Sequence, residues 1–126
     1  MIVYLDTNAV VFLAQRGPAR FSSQARRLLE HGELLYSPMV LLELEYMCEI
    51  GRSAVRARDM QRKLEHELGL HVCDLPFAEV ANAALDEKWT RDPFDRMIVA
   101  QAKVNGLAPL ISSDENVARH YARTIW

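Results

Sequence analysis

The chain has 126 residues, 50% of them hydrophobic and 25% charged, and carries a net charge of −2. That length suits one compact domain over residues 1–126. The composition excludes a disordered or fibrous chain, and the charge excludes a globally basic nucleic-acid binder, so any phosphate-binding face must be local. No apolar stretch is long enough to cross a bilayer, and Met1 leads into a strand pattern without a basic or apolar leader, so the expected location is the cytoplasm and no membrane partner is expected.

Residues 2–6 read as a short buried strand, because a continuous run with Ile2, Val3 and Tyr4 is what a parallel strand covered on both faces requires. A helix follows from Thr7 or Asn8 to Gln15 and is stopped by Gly17-Pro18. Helical spacing returns over Ser22 to Glu30 through Ala25, Leu28 and Leu29, and Gly32 breaks it before a strand at Glu33 to Tyr36. Ser37-Pro38 supplies an N-cap and an N1 proline for a helix over 38–50. A charge-rich helix is expected over 53–68, then a strand at Leu70 to Cys73, a helix from Pro76 to about Lys88 and another from Pro93 to Asn105. Pro109 to Ile111 reads as a buried strand, with a short helix after Asp114 and a weak strand at Arg123 to Ile125. The alternation predicts an α/β fold: a mostly parallel central sheet of about five short strands with helices on both faces. Cys48 and Cys73 stand apart among apolar neighbours and read as buried thiols, and the histidines form no HxxxH pair, so zinc chemistry is not expected.

Four acids sit where apolar residues or strand tips are expected. Asp6 ends the first strand, Glu43 interrupts Val40-Leu41-Leu42-Leu44, Asp95 opens Met97-Ile98-Val99-Ala100, and Asp114 closes Leu110-Ile111-Ser112-Ser113. Each has a structural reading of its own. Asp6 and Asp114 could be helix N-caps, Glu43 a glutamate at the rim of an apolar face, and Asp95 the N3 partner of an Asp92 cap. Gathering several carboxylates nevertheless produces strong repulsion unless protons or a cation compensate it. One cation accounts for all four placements together. Oxygen donors without His or Cys suit Mg²⁺ or Mn²⁺, which points to a metal-dependent hydrolase acting on a phosphodiester.

The chain resembles the PIN-domain ribonucleases, most closely the VapC-like toxins of toxin–antitoxin pairs. The resemblance is carried by Leu5-Asp6-Thr7-Asn8, by Ser37 to Leu44 with Glu43 inside it, by Arg91-Asp92-Pro93-Phe94-Asp95-Arg96-Met97-Ile98 with Ala100-Gln101-Ala102, and by Ser112-Ser113-Asp114-Glu115. It implies that Asp6, Glu43, Asp95 and Asp114 hold one or two Mg²⁺ or Mn²⁺ ions. Asn8 and Ser112 would orient them, and Asp92 is a further candidate beside Asp95. It also implies an RNA substrate, a homodimer and a cognate antitoxin that reaches the acidic pocket. For RNA contact the candidates are Arg16, Arg52, Arg56 and Arg96, with Arg20, Arg26, Arg27 and Lys63 also available; Arg52, Arg56 and Lys63 are expected to share one face of the 53–68 helix, although such a face is equally explained by solvation. Two rivals stand beside this reading: a PIN-like module that binds RNA or protein without cutting, and a haloacid-dehalogenase-like phosphatase with Asp6 as nucleophile, against which Asn8 counts because a second Asp is wanted there.

Overall fold

The computed structural model describes residues 1–126. Five strands, β1 (Ile2–Leu5), β2 (Glu33–Tyr36), β3 (His71–Val72), β4 (Leu110–Ile111) and β5 (Thr124–Ile125), form one sheet in the order β3-β2-β1-β4-β5. Every neighbouring pair is parallel, with Tyr4 opposite both Leu35 and Leu110. The central strand β1 buries Val3, Tyr4 and Leu5 in succession, as a strand covered on both faces must.

Seven α-helices complete the fold: α1 (Thr7–Arg16), α2 (Ser23–His31), α3 (Pro38–Glu49), α4 (Ala57–Leu68), α5 (Phe77–Ala84), α6 (Pro93–Val104) and α7 (Glu115–His120). The chain steps from β1 to β2 to β3 in one direction, then crosses beyond β1 to β4 and β5. With right-handed crossovers the reversal places α1 to α4 on one face and α5 to α7 on the other. It also creates a switch point between β1 and β4, whose carboxyl ends are where open parallel sheets bind ligands. Asp6 follows β1 there, its N–H donating to the Ile111 carbonyl at 3.1 Å, and Ser112 and Asp114 follow β4.

Three sequence expectations need correction. The long helix begins at Ala57 rather than residue 53, because Ser53 Oγ takes the Val55 N–H in a local turn and Glu45 caps Ala57 N–H at 3.4 Å. Arg52 and Arg56 therefore precede the helix and share no helical face with Lys63. The helix expected to reach Lys88 stops at Ala84, where a tight turn sends Glu87 inward. Cys48 is only partly buried, unlike Cys73. A short 3-10 turn at Pro18–Arg20 was also not foreseen.

Gly32, between α2 and β2, is required by close approach. A Cβ built there would lie 2.6 Å from the Leu28 carbonyl oxygen and 2.7 Å from Val3 Cγ2. Gly32→Ala is expected to cost about 1–3 kcal/mol, read as a lower urea midpoint at unchanged slope; an unaltered midpoint would show that this junction yields freely.

Candidate active site

Asp6 is 8% exposed and caps α1, its Oδ1 accepting the Ala9 N–H at 2.8 Å. Its other oxygen accepts the Ser112 hydroxyl, and Ser112 Oγ in turn accepts the Asp114 N–H at 3.1 Å. One buried hydroxyl thus links the ends of β1 and β4. Asp114 caps α7 through Asn116 N–H at 2.8 Å and Val117 N–H at 3.3 Å. The N-cap readings of Asp6 and Asp114 are therefore correct descriptions of their backbone bonds, yet each carboxylate has a second oxygen not used in capping.

Glu43 leaves α3 half-buried and accepts the hydroxyl of Thr7. Thr7 was not among the sequence candidates; the only signal for it was its place between Asp6 and Asn8. Asn8 is exposed, and it is Thr7, buried, that contacts an acid. Asp92 caps α6, taking Phe94 N–H at 2.8 Å and Asp95 N–H at 3.3 Å, while Asp95 stands half-buried in the first turn.

Burial pushes Asp95 up to about 7, helped by the negative charges of Asp92, Asp114, Glu43 and Asp6. Burial likewise raises Asp6 to about 6, against the hydrogen bonds from Ser112 and Ala9 and with the charges of Asp114 and Glu43 adding to it. Glu43 is raised by burial and then by Asp92, with the Thr7 bond opposing both. Asp6 and Asp95 therefore both feel the negative charges of Glu43 and Asp114. The four carboxylates do not close into a ready-made cage, since no three acidic, His or Cys side chains have metal-holding geometry. Asp6 and Glu43 are instead turned to hydroxyl donors, and Asp114 to its own cap. An all-oxygen donor set, crowded, negative and partly desolvated, is the chemistry a hard divalent cation fits.

The candidate cations are dispersed. Arg16 and Arg52 are exposed, Arg56 pairs with Glu45 at 3.5 Å, and Arg96 Nε donates to the Glu87 carbonyl at 2.8 Å.

A family model for the PIN domain matches residues 3–123. The chain belongs to the PIN-domain family. PIN domains are nucleases that generally use divalent metal ions, so the phosphatase alternative is set aside. Among solved structures, this PIN domain is similar to a chain of VapBC2 from Rickettsia felis bound to a promoter DNA fragment, at 18% identity and a TM-score of 0.68, covering 99% of this chain and 96% of that one. It is similar to a chain of VapBC-1 from nontypeable Haemophilus influenzae, at 19% identity and a TM-score of 0.64, covering 100% and 96%. A chain of a toxin–antitoxin complex from Klebsiella pneumoniae has 14% identity and a TM-score of 0.64, covering 98% and 96%. At these identities the likeness is one of fold. No curated protein matches the sequence. No helix is long and apolar enough to cross a membrane.

Proposed function

We propose that residues 1–126 act as a single PIN domain that hydrolyses RNA phosphodiester bonds with Mg²⁺ or Mn²⁺, as the toxin of a toxin–antitoxin pair that inhibits translation and growth. The observation that supports the reading most is the placement of Asp6, directly after β1, and of Ser112 and Asp114, directly after the adjacent β4, at the switch point of a PIN fold, with Ser112 bonded to both acids. Glu43 and Asp95 are assigned to the same site because the charge of Glu43 acts on both Asp6 and Asp95, and that of Asp6 on Asp95, where burial has already raised both. The toxin assignment is supported by the shared fold of VapBC complexes, and with it come a cognate antitoxin, a homodimer and a cytoplasmic location as expectations.

In this account the four acids hold the cation. When bound, it supplies charge to offset the phosphate and to lower the pKa of attacking water. Ser112 fixes the rotamer of Asp6, and Thr7 does the same for Glu43. Arg16 and Arg52, exposed and outside any ion pair, are the proposed phosphate contacts, while Arg56 and Arg96 are engaged by Glu45 and Glu87.

The test is cleavage of a mixed RNA pool by the purified protein with Mn²⁺, with EDTA, and with EDTA followed by excess Mn²⁺. Cleavage lost and regained is the expected result; binding of RNA without cleavage in any condition would favour the non-cutting module. Thr7→Val should lower Mn²⁺ affinity roughly tenfold, because Glu43 loses the donor that favours its ionised form. Carboxyl NMR of the metal-free variant should show Glu43 titrating higher than in the wild type, and an unmoved Glu43 would remove Thr7 from the account.

A further inference from the structure

Glu87 is a buried carboxylate outside the acidic site. It lies in the turn between α5 and α6, 4% exposed, and no sequence reading singled it out. Its Oε1 accepts Lys103 Nζ at 2.5 Å, its Oε2 accepts Trp89 Nε1 at 2.7 Å, and its backbone carbonyl accepts Arg96 Nε at 2.8 Å. Arg96 and Lys103 stand two turns apart on α6, so one residue grips that helix at two heights. Arg96 directly follows Asp95 in the chain. The Trp89 ring, held by Glu87, lies against the His120 ring at 4.9 Å between centroids and 8° between planes. His120 is the last residue of α7, the helix capped by Asp114.

We propose that Glu87 is a positioning residue that sets the spacing of Asp95 and Asp114, gripping α6 through Arg96 and Lys103 and α7 through the Trp89–His120 stack. The inference rests on the metal-dependent nuclease reading. A buried ion pair is a poor way to stabilise a fold, since apolar residues of similar volume often do as well or better. What Glu87 adds is direction: three donors from two elements meet one short residue, and the aromatic stack passes that constraint to a third. The turn at 85–92 is shaped locally by backbone bonds from Leu85, Asp86, Glu87 and Lys88, and the bonds of Glu87 to Lys103 and Arg96 are what tie it to α6. The two segments meeting through it carry two of the four acids.

The experiment uses the full chain and compares wild type with Glu87→Gln, Trp89→Leu, Trp89→Phe and His120→Ala. Mn²⁺ affinity is measured by calorimetry, and amide exchange over Asp114 to Tyr121 is measured in metal-free protein. Glu87→Gln, Trp89→Leu and His120→Ala should each weaken Mn²⁺ binding by about tenfold, the scale of losing an outer support of a ligand. Exchange in α7 should rise in the same variants while α1 amides stay protected. Trp89→Phe, which keeps a ring on His120 but has no Nε1 to bond Glu87, should lose Mn²⁺ affinity as Trp89→Leu does; wild-type affinity in Trp89→Phe would overturn the part of Glu87 in the stack. Should Glu87→Gln fail to fold, the Mn²⁺ affinity of His120→Ala decides the matter, because His120 is exposed and its loss leaves the Glu87 bonds intact. Its α7 exchange is not the deciding readout, since the variant also loses the 2.8 Å bond of His120 Nδ1 with the Asn116 carbonyl inside α7. Unchanged Mn²⁺ affinity and unchanged α7 exchange in the folded variants would overturn the positioning role while the wild type still bound metal. A wild type that bound no Mn²⁺ would instead overturn the metal-site reading, and this inference with it.

Discussion

Asp95→Asn is expected to abolish Mn²⁺-dependent RNA cleavage, reducing kcat by about a thousandfold, equivalent to roughly 4 kcal/mol of lost transition-state stabilisation. The change is nearly isosteric and leaves the α6 cap untouched, because Asp92, not Asp95, accepts the Phe94 N–H. Asp6→Asn should have the same effect on cleavage, since Asn also serves as an N-cap and can retain the bond from Ala9. Both variants should keep the wild-type circular dichroism spectrum. Full activity in the two of them would show that these acids only cap and crowd, which is the local explanation each admits by itself.

The second large effect concerns stability, pH and metal together. In the folded protein Asp6 titrates at about 6 and Asp95 at about 7, both raised from 3.8, with burial as the first cause in each case. Folding therefore favours their protonated forms. Their contribution to stability is complete below about pH 4, where the unfolded chain is protonated too, and it is lost as pH rises through about 6 to 7. In EDTA, Asp95→Asn should melt like the wild type near pH 4 and above it at pH 8, by on the order of 5 °C. Mn²⁺ at about a hundred times its Kd should reverse the order, raising the wild-type Tm by on the order of 10 °C and the variant's much less. Binding should also release more protons at pH 6 than at pH 8, because the cation displaces protons that the acids hold near neutrality. A wild-type melt indifferent to both pH and Mn²⁺ would remove the coupling between the acids.

Much of this fold can be read from local signals. The Ile2-Val3-Tyr4-Leu5 run marks a strand buried on both faces, and Ser37-Pro38 and Asp92-Pro93 mark two helix starts that the structure shows capped by those residues. The errors arose where a side chain from elsewhere decides the backbone. The start of α4 waits for Glu45, twelve residues earlier in the chain, to take the Ala57 N–H, and α5 ends where Glu87 turns in to meet Lys103. Helical periodicity carries neither event. The four acids stand out in the sequence as candidates because each violates an apolar pattern or closes a strand. Ser112 enters through the family resemblance, and the structure shows it bonded to Asp6 and to the Asp114 N–H. Thr7 and Glu87 do not stand out. A threonine in the first turn of a helix and a glutamate in a polar turn break no rule of composition, and only the fold shows the one facing Glu43 and the other buried among Trp89, Arg96 and Lys103.

The central claim is an oxygen-ligand cation site at the β1–β4 switch point, and anomalous scattering from a crystal grown with Mn²⁺ tests it most directly. The account predicts a manganese peak within coordination distance of Asp6 and at least one of Glu43, Asp95 and Asp114, lost in Asp95→Asn crystals grown in the same way. Manganese found only elsewhere on the surface, with the four carboxylates unliganded, would contradict it.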